Sequence, residues 1–483
     1  MPDPAPRPRV AVILAAGKGT RMKSSIPKVL HAAAGRPLLA WVIDAARAAG
    51  CGRILVVVGH GAERVREAIG GEADRDLTWV LQAEQRGTGH ALAQAEGEIS
   101  AIADNATVLV LSGDVPLVKP ATLDRLARGA EEGWGALAVA EMADPGLLGR
   151  VLVDESGAFR AIVEARDATP PELAVRRINA GLYALPAPDV FTYLRHLKAD
   201  NAQGELYLTD AVTGAARDGH HPVRLVELPD ADEALGVNDR VELAKVHRLL
   251  LDRHLDVLMK AGVTVLEPAR TVIEPGVRVG EDTVIHPGAS LLGDTSVGRE
   301  CVIHQGAWLR DSTVADGAIV EPYSVLDRAE VGDGCRVGPF ARLRPASRLL
   351  AGARVGNFVE VKGSEIGAGA KVNHLSYVGD ATVGAGANVG AGVVTCNYDG
   401  VRKNPTEIGA GAFIGSDTML VAPVKVGAGA STAAGSVITR NVPDGALAVA
   451  RVRQKNLEGR AGGLHRRQID PNINPNRDPK KEG

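Results

Sequence analysis

Long apolar runs, aromatic side chains, paired cysteines and an excess of one charge are all missing from this chain. No apolar stretch reaches the length a membrane-crossing helix needs, so no bilayer-spanning helix is expected. Aromatic residues make up only 3% of the sequence, which points to cores filled by Val, Ile, Leu and Ala. The four cysteines, Cys51, Cys301, Cys335 and Cys396, are scattered and form no CxxC pair. That argues against a disulfide framework or a zinc site and for a reducing, cytoplasmic setting. The segment from Met1 to Arg9 is rich in proline and has no apolar h-region, so no signal peptide is expected. With 55 basic against 58 acidic side chains, the chain carries no electrostatic footprint for nucleic acid or a membrane surface. Its 483 residues suffice for two or three domains.

What the chain does have is glycine in quantity and a six-residue beat. Aliphatic residues fall on every sixth position at Ile273, Val279, Ile285, Leu291, Val297, Ile303 and Leu309. After a short break the count resumes at Ile319, Val325, Val331, Val337, Leu343, Leu349, Val355 and Val361. It slips one place at Ile366 and again at Val383, and a last run covers Ile408, Ile414, Leu420 and Val426. Neither the helix period nor the strand period gives a beat of six. A solenoid of short strands and tight corners does, with three hexapeptides closing a coil of about 18 residues. The C-terminal half is therefore expected to be a parallel β-helix.

The N-terminal half alternates short apolar runs (Val10–Ala15, Arg53–Gly59, Leu77–Gln82, Thr107–Ser112, Ala136–Ala140) with helix-like segments (Leu38–Ala49, Ala62–Ile69, His90–Ile99, Pro120–Glu132). This implies an α/β domain, Rossmann-like, with a mainly parallel sheet and ligands beyond the carboxyl ends of its strands. Asn238 and Asp239 then open an amphipathic helix running to Lys260, with Gly262 as its C-terminal stop. The expected domains are 1–237 as the sheet domain, 238–262 as linker helix, 263–450 as β-helix and 451–483 as a basic, mostly disordered tail.

The first strand is followed by Leu14-Ala15-Ala16-Gly17-Lys18-Gly19-Thr20-Arg21-Met22 and then by Pro27-Lys28. Such a glycine-rich turn offers backbone N–H groups to phosphate oxygens, and Arg21 and Lys28 add charge for a pyrophosphate leaving group. The spacing fits neither GxGxxG nor the P-loop. Asp114, at the end of another strand, suits a Mg²⁺ ligand, because that ion takes one or two carboxylates plus substrate phosphates. A lone Gly-Asp after a strand is more often a turn or cap.

Together these residues resemble the sugar-nucleotide pyrophosphorylase family, whose LAAGxGTRM…PK signature is matched across Leu14–Lys28. With the hexapeptide solenoid added, nearly the whole chain resembles the family of bifunctional N-acetylglucosamine-1-phosphate uridylyltransferases and glucosamine-1-phosphate N-acetyltransferases, in which the solenoid is a left-handed parallel β-helix. The resemblance implies that Leu14, Ala15, Ala16, Gly17, Gln82, Gly87 and Thr88 contact the uridine part of UTP, with Arg21 and Lys28 on the phosphates. It implies that Gly149, Glu164 and Asn179 hold N-acetylglucosamine-1-phosphate, and that Asp114 and Asn238 hold Mg²⁺. Leu148 stands where the family usually has an aromatic, and Arg166 where a Lys is common.

In the second half, Thr395–Thr406 interrupts the beat, and insertions in solenoids become loops on one face. Arg344, Lys362, His374, Tyr377 and Asn388 lie on nearby coils. Each alone is more often a solvated edge. The resemblance implies that His374 is the general base for the amine of glucosamine-1-phosphate, a role suited to imidazole. Arg344, Lys362, Tyr377 and Asn388 would bind that sugar phosphate. Ala391, Asn397, Tyr398, Ser416, Ala434 and Arg451 would contact acetyl-CoA, and a homotrimer would form the site. Cys396 is read as a pocket wall. The opposing readings are a purely structural or regulatory solenoid and a single-function pyrophosphorylase with an oligomerising β-helix.

Overall fold

The computed structural model describes residues 7–70, 75–103, 105–218 and 222–458. The part of the expected tail from 459 onward, and Met1 to Pro6, lie outside the described residues. The chain divides into two compact units after Ser296.

The first unit is built on a sheet whose path runs Val223–Glu227, Gly135–Glu141, Arg177–Pro186, Thr107–Ser112, Arg9–Leu14, Arg53–Val58 and Leu77–Leu81. Parallel pairing joins Arg9–Leu14 to both Arg53–Val58 and Thr107–Ser112. Arg177–Pro186 is the antiparallel exception, pairing with strands on either side of it. The apolar runs are continuous rather than alternating because both faces are covered. Ala11, Ile13, Val56 and Leu111 pack on one side with Leu39, Leu123 and Leu126. Val10, Val12, Leu55 and Val110 pack on the other with Leu92, Ile99, Phe191 and Val212. Chain order reverses at Arg9–Leu14, so the loops leaving that strand and Thr107–Ser112 open at a topological switch point. The expected helix over His90–Ile99 is two short helices, Thr88–Ala93 and Glu96–Ile102, broken at Gln94 and Ala95.

Asp239 caps the long helix Arg240–Lys260 by accepting from the N–H groups of Val241 and Glu242, both at 2.9 Å. At the other end Gly262, with φ 96°, lets Val263 N–H reach Leu258 O and Gly262 N–H reach Met259 O. The helix packs Val246, Leu250 and Leu251 against Met22, Leu38 and Leu117. The first coils follow, with Thr264–Val265 pairing to Val284–Ile285 and Val272–Ile273 to Ser290–Leu292.

The second unit is a parallel β-helix with three faces, each a parallel sheet of two- to four-residue strands. Most coils advance by 17 or 18 positions, as in Ile319 opposite Arg336 and Arg336 opposite Arg354, and the coil holding the insertion by 25, as in Asn388 opposite Phe413. The beat is not uniformly six. Inward side chains step by five from Leu309 to Val314, Leu326 to Val331, Val361 to Ile366 and Val378 to Val383, all of them buried. Each short step turns on a positive-φ residue, respectively Asp311, Arg328, Gly363 and Asp380. A six-residue count through Val331 passes over the short corner at Arg328 and so falls one place early before it. Val320 and Leu326 are fully buried, whereas Ile319 and Val325, expected inside, are only half-buried.

Candidate functional sites

At the switch point the Leu14–Gly17 turn is held open by bonds on both sides, Ala15 N–H to Val57 O at 2.8 Å and Gly113 N–H to Leu14 O at 3.0 Å. A cleft of about 290 Å³ is lined by Leu14, Ala15, Ala16, Gly17, Lys28, Gln82, Gly87, Thr88 and Asp114, together with Gln85, Ser112 and Glu205. An adjoining cleft of about 740 Å³ shares Gly17, Gln82, Gln85 and Glu205 with it. Buried Gln82 is fixed by donation to Gly87 O at 3.2 Å. Gly87 (φ 106°) is irreplaceable locally, since a Cβ there would sit 2.6 Å from Leu206 O. Thr88 Oγ1 accepts from Leu208 N–H at 3.0 Å.

Lys28 pairs with Asp114, and its ammonium also reaches Asn238 Oδ1 at 3.3 Å. Asp114 and Asn238 come from distant parts of the chain but are tied by Val237 N–H donating to Asp114 O at 2.9 Å. Their side-chain oxygens thus converge on one cationic point. One carboxylate and one amide oxygen form a hard donor set of the kind Mg²⁺ prefers, with substrate phosphates completing the shell. Arg21 lies exposed on the turn Thr20–Met22 and is not among the cleft-lining residues.

Gly149, Glu164 and Asn179 form a second group beside this cleft. Asn179 N–H donates to Gly149 O at 2.9 Å, and a Cβ on Gly149 would stand 3.4 Å from Glu164 Oε1. Burial pushes the Glu164 carboxyl above the usual range, opposed by the Thr209 hydroxyl, which donates to it at 3.4 Å. Gly181 approaches the cleft-lining Ser112. Leu148 packs against the domain core, and Arg150 is buried with its guanidinium on Leu148 O and Gly146 O. Arg166 is exposed and reaches Gln203.

On the β-helix the expected residues gather around one corner. His374 ends the strand Lys371–His374, and Tyr377 opens Tyr377–Gly379 on the next face. His374 Nδ1 lies 2.7 Å from Asn357 Oδ1, its neighbour one coil back. An amide oxygen only accepts, so Nδ1 carries the proton and Nε2 keeps its lone pair. Below His374, coil by coil, lie Ala391, Ser416 and Ala434. They are linked by Gly392 N–H to His374 O (3.3 Å), Asp417 N–H to Ala391 O (2.7 Å) and Gly435 N–H to Ser416 O (2.8 Å). These three small side chains follow one another in file, and Arg451 comes near the last of them at Gly435.

Lys362 Nζ donates to both Asp380 oxygens, at 2.9 and 3.1 Å. Asn397 Nδ2 donates to Asp380 Oδ2 at 2.6 Å and to the Tyr377 hydroxyl at 3.5 Å. Arg344 pairs with Glu360 at 2.9 Å, and Glu360 lies opposite Tyr377 in the ladder. Burial alone would raise the Asp380 carboxyl, but hydrogen bonds from Lys362 and Asn397 outweigh it and hold it low. The bond to Asp380 raises Lys362 above the usual lysine range, while Lys362 lowers Lys403 below it. Asn397 is thus tied by hydrogen bonds to the cation cluster. Asn388 lies on the His374 face, opposite Lys371 and Phe413. Exposed Tyr398 belongs to the inserted loop, its hydroxyl donating to Gly400 O at 2.6 Å. The sequence reading missed Asn357, Asp380 and Lys403. Their proximity comes from 17-residue stacking and the folded insertion, which no local motif announces.

A switch-point nucleotide cleft and a solenoid with a cation cluster beside a histidine define a two-part transferase. The first part matches the MobA-like NTP transferase domain over residues 11–206, and the second matches the bacterial transferase hexapeptide (six repeats) over 276–311 and 405–440. Over 93% of its length the chain is 50% identical to "Bifunctional protein GlmU" of Alkalilimnicola ehrlichii, covering 95% of that protein. It is 48% identical to that of Sorangium cellulosum over 96% of this chain and 98% of the relative, and 46% identical to that of Pelobacter propionicus over 93% and 97%. The chain belongs to the family of bifunctional GlmU proteins.

Proposed function

We infer that the chain makes UDP-N-acetylglucosamine in two steps. The β-helix acetylates glucosamine-1-phosphate, and the sheet domain then transfers uridylyl from UTP to the acetylated product with release of pyrophosphate. The observation that carries this reading is the presence of two separate, differently equipped sites on one chain that matches bifunctional relatives end to end.

In the first reaction of the pathway the amine nitrogen attacks the thioester carbonyl of acetyl-CoA. Nε2 of His374 takes the amine proton, the C–N bond forms, the C–S bond breaks and the CoA sulfur leaves. Asn357 holds the imidazole in the required tautomer. Arg344 and Lys362 bind the sugar phosphate, Tyr377 and Asn388 the sugar, and the Ala391–Ala434 file with Tyr398, Asn397 and Arg451 the cofactor. In uridylyl transfer a phosphate oxygen of the sugar attacks the α-phosphorus of UTP in line, and the bond to the β-phosphate oxygen breaks. The Leu14–Gly17 turn, Gln82, Gly87 and Thr88 orient the nucleotide. Lys28 and Arg21 neutralise phosphate charge, and Gly149, Glu164 and Asn179 orient the sugar. Mg²⁺ on Asp114 and Asn238 would supply charge neutralisation at the phosphates.

The functional limits are taken as 1–237 and 263–450, joined by 238–262. On this reading the protein works as a homotrimer in the cytoplasm; the three sheet faces of the β-helix fit side-by-side packing of subunits, and among the described residues no helix is long and apolar enough to cross a membrane. Acetyl-CoA-dependent thiol release with glucosamine-1-phosphate, in the absence of UTP, tests the second site alone. No release from folded protein would leave a single-function pyrophosphorylase.

A further inference from the structure

The antiparallel strand Arg177–Pro186 is broken where it passes the sugar group. Asn179 pairs with Val139, but the next matched pair is Tyr183 with Leu137, so extra residues are extruded from one strand only. Gly181, at φ 69°, makes the detour in a conformation that side-chain-bearing residues disfavour. Bulges of this type re-aim side chains next to functional sites. Here the result is that the Tyr183 hydroxyl, four positions along, stands 2.7 Å from Asn179 Nδ2. Tyr183 itself is only 4% exposed, its ring in the core cluster with Val139, Val151 and Ile162.

The orientation of the Asn179 amide is forced by these neighbours. The Gly181 N–H can only donate and lies 2.9 Å from Oδ1, so the oxygen must face it. Nδ2 then faces Tyr183, whose hydroxyl oxygen must accept. Burial and the nearby Glu164 carboxylate keep the phenol neutral far above the ordinary tyrosine range. Nδ2 has two protons, and among the described residues Tyr183 is the one acceptor it meets. The other proton of this half-exposed side chain is left for a ligand.

We propose that Tyr183 is a positioning residue of the sugar pocket: it clamps the Asn179 amide from behind, so that the pocket presents an N–H and favours a sugar bearing an acceptor, such as an N-acetyl carbonyl, over one bearing an ammonium, which can only donate. This rests on the reading that Asn179 contacts the sugar phosphate. It deepens that reading, because the first site would then recognise the chemical change made at the second.

The test uses the full chain, UTP and Mg²⁺, with N-acetylglucosamine-1-phosphate and glucosamine-1-phosphate as alternative acceptors and pyrophosphate release as the signal. Tyr183→Phe removes one neutral hydrogen bond, so kcat/KM for the acetylated sugar should fall about three- to tenfold. The loss should appear in KM, with the KM for UTP and kcat/KM for the amino sugar unchanged. The selectivity ratio therefore falls by the same factor. A ratio that does not move overturns the proposal, whether both substrates lose alike through general loosening or neither loses. Asn179→Asp tests the same polarity without altering the core: it still accepts from Gly181 but cannot donate, and should swing the ratio toward the amino sugar. An unchanged ratio there is equally fatal. If the parent enzyme itself failed to use N-acetylglucosamine-1-phosphate, the assignment of the pocket would fall, a result distinct from an active parent with an unmoved ratio.

Discussion

Removing the imidazole of His374 should slow acetyl transfer without unfolding the β-helix, and the structure sets the size of both effects. His374 is exposed, and its side chain makes one hydrogen bond, to Asn357 at 2.7 Å. Substitutions at such sites usually change stability by no more than about 0.5 kcal/mol. A positioned general base contributes about 10²–10⁴ in rate, so His374→Ala should lose that factor in kcat. Asn357→Ala leaves the base but frees its tautomer and orientation. One neutral hydrogen bond is worth about 0.5–1.5 kcal/mol, which converts to roughly a two- to tenfold loss at 1.36 kcal/mol per decade. The rates should thus fall in the order parent, Asn357→Ala, His374→Ala, read as thiol release from acetyl-CoA at saturating glucosamine-1-phosphate. Pyrophosphate release from UTP should be the same in all three. A His374→Ala protein that melts early yet acetylates at near the parental rate would refute the base assignment. An Asn357→Ala loss as large as that of His374→Ala would refute the division of labour.

Glu164 is the clearest case for pH dependence. Burial raises its carboxyl in the folded state, so the native protein binds the extra proton and stability is lost as pH rises from the ordinary carboxylate value through the folded one. Glu164→Gln should therefore melt higher than the parent at neutral pH, with the gap closing in acid, while the sugar KM rises; an equal gap at every pH would contradict this. Gly87→Ala should lose nucleotide binding and melt lower, since φ 106° costs a side-chain-bearing residue about 1–3 kcal/mol and its Cβ meets Leu206 O at 2.6 Å; an unchanged KM for UTP counts against the assigned loop. A fragment of residues 1–262 should keep uridylyl transfer, whereas 1–240 should melt far lower. The latter strips Val246, Leu250 and Leu251 from the cluster around Met22, Leu38 and Leu117, at about 1.5–3 kcal/mol for each aliphatic side chain. Equal melting temperatures would show that the helix is dispensable.

The solenoid was legible because its period is set by covalent geometry: an inward aliphatic and a corner recur whatever the partners are. The count went astray at Ile319 and Val325, because Arg328 in positive φ shortens the corner before Val331 by one residue. An arginine in that conformation leaves no mark as clear as glycine would. The Leu14–Lys28 turn was legible for the same local reason. The strand Arg177–Pro186 was not read, since its bulge depends on which strands flank it, and nothing near Tyr183 signals that its hydroxyl returns to Asn179. Asp380 and Asn357 were likewise invisible as partners, because each meets its neighbour across a coil. The break inside His90–Ile99 falls in a continuous helix-like pattern.

The central claim, two independent sites on one chain acting in sequence, is tested most directly by mixing two single variants. Asp114→Ala lacks the carboxylate that pairs with Lys28 and should make N-acetylglucosamine-1-phosphate but no nucleotide sugar. His374→Ala should make little of either from glucosamine-1-phosphate. Given glucosamine-1-phosphate, acetyl-CoA, UTP and Mg²⁺, the mixture should form UDP-N-acetylglucosamine, because the intermediate passes through solution from one variant to the other. Product at a substantial fraction of the parental yield is the predicted result. A mixture of two folded variants that forms none, or an Asp114→Ala protein that has lost acetyl transfer as well, would contradict the account.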